Sequence, residues 1–172
     1  MRMRDLLSTP LLAACLGCIA CAPAPVPDTK AKDEADIRAL EDRFAAAFKA
    51  KDINAIMALY THSPDLVVFD ASLPRQYTGW DAYKKDFEDF LASSPGPAEM
   101  LITDVSVTVG GDVAYGHSIQ HPILTDKNGK KTESTVRVTD GYRKINGQWL
   151  ISHEHVSYPV DMTTMKPDLD SK

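Results

Sequence analysis

The spacing of hydrophobic residues predicts three helices in the first half of the folded part of the chain. From Asp33 to Ala50, apolar side chains recur at every third or fourth position, as on one face of an amphipathic helix. Asp52 is placed to cap a second, short helix, and Pro64 prevents that helix from continuing. A third helix is predicted from Trp80 to Leu91. Phe44, Phe48, Leu59 and Phe87 are predicted to be core, because each lies on the apolar stripe of its helix. The apolar positions of the first helix are Ile37, Leu40, Phe44, Ala47 and Phe48.

A strand pattern precedes the third helix, and further strand patterns follow it. The segment DLVVF reads as a first strand, and four β-rich runs come after Pro97, separated by GGD, KNGK and NGQ. Gly-Gly and Asn-Gly are strong hairpin signals, so the four runs predict an antiparallel meander. Helices that precede such a sheet predict an α+β fold with the helices packed on one face. The four runs are Met100–Val109, Val113–Leu124, Glu133–Ile145 and Gln148–Tyr158.

Composition and charge narrow the classes of function. The chain has 172 residues, 44% hydrophobic and 25% charged, which suits one globular domain. Its net charge of −5 argues against nucleic acid as a partner, since phosphate binding needs a basic surface. All three cysteines lie within residues 1–21, so the folded part has no disulfide, thiol-redox or cysteine-zinc site.

Residues 1–21 have the pattern of an export signal. Two arginines precede an apolar run that is too short to span a bilayer, and the run ends in cysteines behind small residues. This resembles a bacterial lipoprotein signal. The consensus favours Cys15 as the lipidated residue, whereas Cys21 directly precedes a proline-rich tether at residues 22–32. The domain is expected on the periplasmic side of the cell envelope, held to the membrane by its lipid alone, or secreted if neither cysteine is lipidated.

Three segments carry a resemblance to a known family. The first segment contains KDINAIMALY, DLVVFD and YTGWDAY, the second is VTDGYRKINGQW, and the third is ISHEHVSYP. Over Glu34–Asp161, the chain resembles the SnoaL-like branch of the nuclear-transport-factor-2-like superfamily. The resemblance implies a cone in which three N-terminal helices pack on a curved antiparallel sheet. Residues 33–162 would form this domain and residues 163–172 a flexible tail. Members range from cyclases and isomerases to binding modules, so the family alone does not fix the function.

A second resemblance points to Asp70. DLVVFDASLPRQYTG is similar to the first-strand region of ketosteroid isomerases, where the matching aspartate moves a proton on carbon beside a ketone. That chemistry also needs donors for the oxyanion. In this sequence, Phe44 stands at the position of the isomerases' helix-one tyrosine, and the position of their buried acid falls near Val138. Steroid isomerisation is therefore disfavoured.

Alternation along the last strand places the histidines of ISHEHVSYP. It puts Trp149, Ile151, His153 and His155 on one face, which helices would bury, and Glu154 on the other. We therefore expect His153 and His155 to face the cone interior, with His153 as a catalytic partner of Asp70. The two histidines lack the helical spacing of a zinc motif, and no metal or cofactor is predicted.

Four further residues are candidates for a ligand site, each with a plainer structural alternative. His117 and His121 lie on the same face of the run Val113–Leu124, and His117 would stand near His153. Arg137 lies in a strand expected to be central, where it needs a ligand anion or an ion pair with a carboxylate, either Asp70 or Glu154. Tyr77 and Trp80 are expected near the cone mouth, where they would stack on a flat ligand or pack in the core.

Three functions remain open from the sequence. The first is a lipid-anchored module that binds a small, partly apolar molecule in the cone. The second is an isomerase- or cyclase-type enzyme that uses Asp70 with a pocket histidine. The third is a non-catalytic interaction module that forms a homodimer through the outer face of the sheet.

Lipid anchoring gives a direct prediction. The double variant Cys15→Ala, Cys21→Ala should move from the membrane fraction to the soluble fraction, because it has lost both candidate attachment sites. Fractionation of cells expressing the wild type, each single variant and the double variant measures this. Retention of the double variant in the membrane at the wild-type level would show that no lipid on these cysteines anchors the chain.

Overall fold

The computed structural model describes residues 29–170. The lipidation candidates Cys15 and Cys21 lie outside the described residues. In the part of the chain that is described, no helix combines the length and apolar character needed to cross a bilayer. The helices are α1 (Lys30–Ala50), α2 (Ile53–Met57) and α3 (Trp80–Ser93).

The first helix starts three residues earlier than its apolar stripe indicates. The Thr29 hydroxyl donates to the Asp33 carboxylate, and the Asp33 amide donates to the Thr29 carbonyl. These two bonds close the first helical turn over residues 29–33. Residues 30–32, expected to belong to the tether, are therefore helical. At the other end, Lys51 adopts a left-handed conformation with φ of 54° and its amide caps the final turn. Asp52 caps α2 as predicted, by accepting a bond from the Ala55 amide.

The sheet contains the predicted meander. Strands β3, β4, β6 and β7 follow one another as antiparallel neighbours, and β1 lies beside β7 at the far side. The β1–β7 pairing is parallel, so the sheet is mixed rather than purely antiparallel as expected. The predicted run Glu133–Ile145 is divided between two strands. The strands are β1 (Val67–Phe69), β2 (Tyr77–Thr78), β3 (Ala98–Gly110), β4 (Val113–Thr125), β5 (Lys131–Glu133), β6 (Val136–Ile145), β7 (Gln148–Ser157), β8 (Val160–Asp161) and β9 (Lys166–Pro167).

The C-terminal residues form a small hairpin where a flexible tail is expected. β8 and β9 pair with each other, and the Leu169 carbonyl accepts a bond from the Thr135 amide. The side chains of Met162 and Met165 remain exposed. The hairpin is therefore joined to the domain mainly through its backbone.

The core lies between the helices and the concave face of the sheet, and the predicted core residues are buried there. Phe87 is the centre of an aromatic group: its ring centroid lies 5.0 Å from that of Tyr83, 6.2 Å from Phe44 and 6.4 Å from Tyr60. Phe90, on the same helix, is 40% exposed. The four residues predicted to be core, all buried, are Phe44, Phe48, Leu59 and Phe87.

Truncation of Phe87 should destabilise the domain severely. Phe87→Ala removes a ring that contacts three others, and such changes typically cost about 3–5 kcal/mol. Chemical denaturation measures the free energy of unfolding, with Phe90→Ala as a matched control on a more exposed ring of the same helix. A cost below about 1 kcal/mol for Phe87→Ala, or one no larger than the control, would contradict this packing.

Candidate functional site

A β-bulge in the middle of β7 determines which side chains of its second half face the interior. Gly141 of β6 pairs with His153, but its neighbour Tyr142 pairs with Ile151, so Ser152 has no partner across the strands. The Ser152 hydroxyl donates instead to the Gly141 carbonyl, at 3.0 Å. One extra residue reverses the alternation of every side chain that follows it.

The bulge makes the expected orientation of the histidines wrong. Trp149 and Ile151 face the core as predicted, but after Ser152 the inward residue is Glu154, which is 5% exposed. His155 is exposed on the outer face. His153 is half-buried against β1, where its Nδ1 donates to the Val67 carbonyl at 2.8 Å. His153 therefore does not share the interior with Asp70, and the expected catalytic pair is not formed.

Glu154 occupies the inner position and is held by two tyrosines. Tyr83 of α3 donates to one carboxylate oxygen at 2.6 Å, and Tyr60, just after α2, donates to the other at 2.8 Å. All three side chains are buried. The bonds therefore join two helical segments to the last strand of the sheet.

Two more carboxyls lie buried beside Glu154. Tyr142 donates to Glu41 of α1 at 2.7 Å and approaches Asp140 at 3.4 Å. The Oδ1 atom of Asp140 has no hydrogen-bond partner among the described residues. Gly116 leaves room for the Tyr142 ring, since a Cβ there would lie 3.2 Å from the hydroxyl. No basic residue of the described chain forms an ion pair with any of these three acids.

Burial without a counter-charge raises the pKa of these acids. Desolvation raises the pKa of Glu154 to about 7, against the opposing effect of the two tyrosine bonds. Desolvation, together with the charges of Glu154 and Glu41, raises the pKa of Asp140 well above its usual range. The pKa of Glu41 is also raised, chiefly by burial. The folded protein therefore holds protons on this cluster at pH values where the unfolded chain has lost them.

Glu154 also borders a cavity of about 310 Å³ between the helices and the sheet. This volume is at the small end of the range of roughly 300–1,000 Å³ found for ligand sites. Most of the wall is apolar. The polar lining residues are Asp70, Ser72, Tyr83, Asp86, Gln120, Glu154 and Tyr158. The apolar lining residues are Phe44, Phe48, Ala71, Phe87, Phe90, Met100, Pro122, Val136 and Val156.

Asp70 is the sequence-predicted site residue that lines this cavity. It follows Phe69 at the end of β1 and lies two residues after the buried Val68. Its side chain therefore points inward, to the same side as that of Val68. Its Oδ1 accepts bonds from the amide and the hydroxyl of Ser72. Asp86 reaches the cavity from α3 and accepts a bond from the Tyr77 hydroxyl.

The two aromatic candidates lie outside the cavity wall. Tyr77 acts through Asp86, to which its hydroxyl is bonded. Trp80 is half-buried: its indole nitrogen donates to the Met57 carbonyl, and its ring stacks on His62 with centroids 4.2 Å apart. These contacts support the structural alternative for Trp80 over a role in stacking on a ligand.

The remaining candidates are on the outer face of the sheet. His117 and His155 are both exposed and flank Thr139, which pairs with each of them. Arg137 is also exposed, because Val136 and Val138 take the inward positions of β6, and its guanidinium donates to the Tyr158 carbonyl. The expected ion pair of Arg137 with Asp70 or Glu154 is therefore wrong. Within residues 29–170, no group of three acidic, histidine or cysteine side chains is arranged to hold a metal ion.

The sequence pattern contained a signal for Glu154 that simple alternation misses. The apolar residues Trp149 and Ile151 occupy odd positions, whereas the next apolar residue, Val156, occupies an even one. A strand that buries all three must contain one extra residue between Ile151 and Val156. Asp86 also had a signal, since it lies one helical turn after Tyr83 on the inward side of α3.

The acid cluster predicts that stability falls as pH rises through neutrality. A carboxyl whose pKa is higher in the folded state contributes stability below its unfolded pKa and loses it as pH rises through the folded value. For Glu154 that window runs from 4.5 to about 7. The free energy of unfolding should therefore decrease from about pH 5 to about pH 8, by a few kcal/mol at most.

The variant Asp140→Asn should flatten this dependence and stabilise the protein at the alkaline end. It removes one of the buried charges while keeping the side-chain shape. Urea denaturation across the pH range measures the effect, with the exposed Asp65→Asn as the matched control. A slope in Asp140→Asn as steep as that of the wild type would contradict the role of this cluster.

Comparisons with known proteins agree with this architecture. Residues 37–161 match the family model of the SnoaL-like domain. An NTF2-like protein of unknown function from Pseudomonas putida KT2440 is 33% identical, with a TM-score of 0.74 over 83% of this chain and 97% of that one. An NTF2-like superfamily protein from Salmonella enterica serovar Typhimurium shares the fold, at 18% identity and a TM-score of 0.69 over 77% and 94% of the two chains. No curated protein matches the chain significantly. The chain therefore belongs to the SnoaL-like family, within the NTF2-like fold.

Proposed function

We propose that this domain binds a small, partly apolar molecule in the cavity beside Glu154, and that it does so anchored to the cell envelope. The cavity itself is the observation that carries the proposal. It combines a mostly apolar wall with a small number of polar groups, which is the usual composition of a small-molecule site. The anchor rests on the pattern of residues 1–21.

Binding is favoured over chemistry by the state of the hydroxyl donors. An enzyme that moves a proton beside a carbonyl needs donors aimed at the developing oxyanion. The cavity hydroxyls are already engaged: Tyr83 donates to Glu154, Tyr158 to Ser134, and Ser72 to Asp70. Phe44 presents a ring at the position where ketosteroid isomerases have a tyrosine.

An acid–base enzyme remains the second candidate because of Asp70. This carboxylate borders the cavity, and its second oxygen has no hydrogen-bond partner among the described residues. It is therefore placed to accept a proton from a bound molecule. In such an enzyme Asp70 would act without a histidine, since His117 and His153 lie outside the cavity.

Pairing of two copies through the outer face of the sheet is a separate proposal. Three apolar side chains on that face are more than half exposed, namely Leu101, Val113 and Tyr115. Burial of these apolar side chains would favour association. This surface lies on the opposite side of the sheet from the cavity, so a homodimer is compatible with ligand binding.

Filling the cavity with a larger side chain should weaken the binding of a small molecule there. We expect phenylbutanol, a neutral molecule with an apolar body and one polar end, to bind the purified protein. Val156→Phe places a ring in the cavity and should weaken this binding at least about tenfold, a change of about 1.4 kcal/mol. Isothermal titration calorimetry measures the dissociation constants, and Val160→Phe, at an exposed position in β8, is the matched control.

Two results would contradict the proposed function. One is an absence of binding by the wild type to phenylbutanol and to the charged analogues described below. The other is equal affinity in Val156→Phe and the wild type, which would place the binding site elsewhere on the protein.

A further inference from the structure

The polar part of the cavity wall is acidic and carries no basic group. Its acidic side chains are Asp70, Asp86 and Glu154, and no lysine, arginine or histidine lines it among the described residues. The other polar residues of the wall are uncharged, namely Ser72, Tyr83, Gln120 and Tyr158. The lysines of α3 that approach acids do so on the surface: Lys84 contacts Glu88 and Lys85 contacts Asp89. A bound molecule therefore meets acceptors and negative charge, with no cation to offset them.

Asp70 and Asp86 each retain an acceptor for a bound molecule. One oxygen of Asp70 is bonded to Ser72, and one oxygen of Asp86 is bonded to Tyr77. The other oxygen of each has no hydrogen-bond partner within the described part of the chain. Glu154 differs, because both of its oxygens accept tyrosine hydroxyls. The first two residues are thus the groups available to a ligand, and Glu154 supports the wall behind them.

We infer that this cavity is selective for organic cations, namely amines whose apolar body fills the cavity and whose ammonium group lies against Asp70 and Asp86. The inference rests on the proposed function and names the ligand class for the same site. An ammonium group offers up to three donors to the open carboxylate oxygens. It also offsets the repulsion between the acids, since burial first and the charge of Asp70 second raise the pKa of both Asp86 and Glu154.

The aromatic wall favours the same class of ligand. Phe44, Phe48, Phe87 and Phe90 all border the cavity, and a cation is attracted to the face of an aromatic ring. An organic anion meets the opposite conditions, because it would be brought beside like charges without a basic partner. A bare metal ion is also unsuited, since no described group of three ligands is arranged to hold one.

Three probes with one hydrocarbon skeleton test this selectivity. Phenylbutylamine, phenylbutanol and phenylbutanoate differ only in the polar end, which is cationic, neutral and anionic near pH 7. Calorimetric titration of the wild type should give a dissociation constant for the amine at least about tenfold below that of the alcohol. The carboxylate should show no measurable binding.

The variant Asp70→Asn, Asp86→Asn tests which residues provide the selectivity. Both asparagines keep an oxygen that can accept the existing bonds from Ser72 and Tyr77, so the cavity retains its shape. The ratio of the amine and alcohol dissociation constants should fall to near one. Asp89→Asn, an exposed position on the same helix as Asp86, should leave the wild-type ratio unchanged.

The outcomes separate this inference from the proposed function. If the alcohol or the carboxylate binds as tightly as the amine, cation selectivity is wrong, while cavity binding stands. If the amine preference persists in the double asparagine variant, these two residues do not provide it and the inference is overturned. If none of the three probes binds, both the inference and the proposed function fail.

Discussion

The carboxylate of Glu154 is the junction on which the interior of this domain depends. It accepts one hydroxyl from α3 and one from the segment after α2, and its own strand lies between β1 and β6. Moving a carboxylate from water into the protein interior is costly, and the two tyrosine hydrogen bonds offset that cost. The positions of Tyr60, Tyr83 and the sheet are therefore mutually dependent. The cavity wall is built on that arrangement.

Another buried acid, Asp33, joins the N-terminal end of α1 to the sheet. The Asp33 carboxylate accepts bonds from the Lys144 ammonium at 2.6 Å and from the Trp149 indole at 3.0 Å. These bonds and the Thr29 hydroxyl lower the pKa of Asp33 to about 2, so this acid stays ionised. Asp33 and Glu154 are both buried carboxylates that join helix to sheet. The pKa of Asp33 is lowered, chiefly by its bond from Lys144, whereas burial without a cationic partner raises the pKa of Glu154.

The fold was predictable because its signals are repeated along the chain. The stripe of α1 rests on five apolar residues, so one misleading position would not have changed the prediction. The Gly-Gly and Asn-Gly turns each set a hairpin locally, and the order β3, β4, β6 and β7 followed from them. The parallel pairing of β1 with β7 was not predicted, since no local turn specifies it.

The site was less predictable because it depends on single residues. Asp70 was identified because a family resemblance and the end of an apolar strand indicated the same position. The inward position of Glu154 depends on Ser152 alone, and strict alternation assigned the three residues after it to the wrong faces. Tyr60 and Tyr83 lie at apolar positions of the helical segments, but which polar group their hydroxyls reach is decided by the tertiary structure.

The position of β7 has a consequence for how the site is completed during synthesis. Val67 pairs with His153, 86 residues further along the chain, so the strand that precedes Asp70 has no neighbour on that side until the last long strand exists. A chain that ended after β6 would lack Glu154 and also the edge on which β1 docks. The Asp70 wall of the cavity therefore becomes available only when β7, whose His153 lies 86 residues beyond Val67, has left the ribosome.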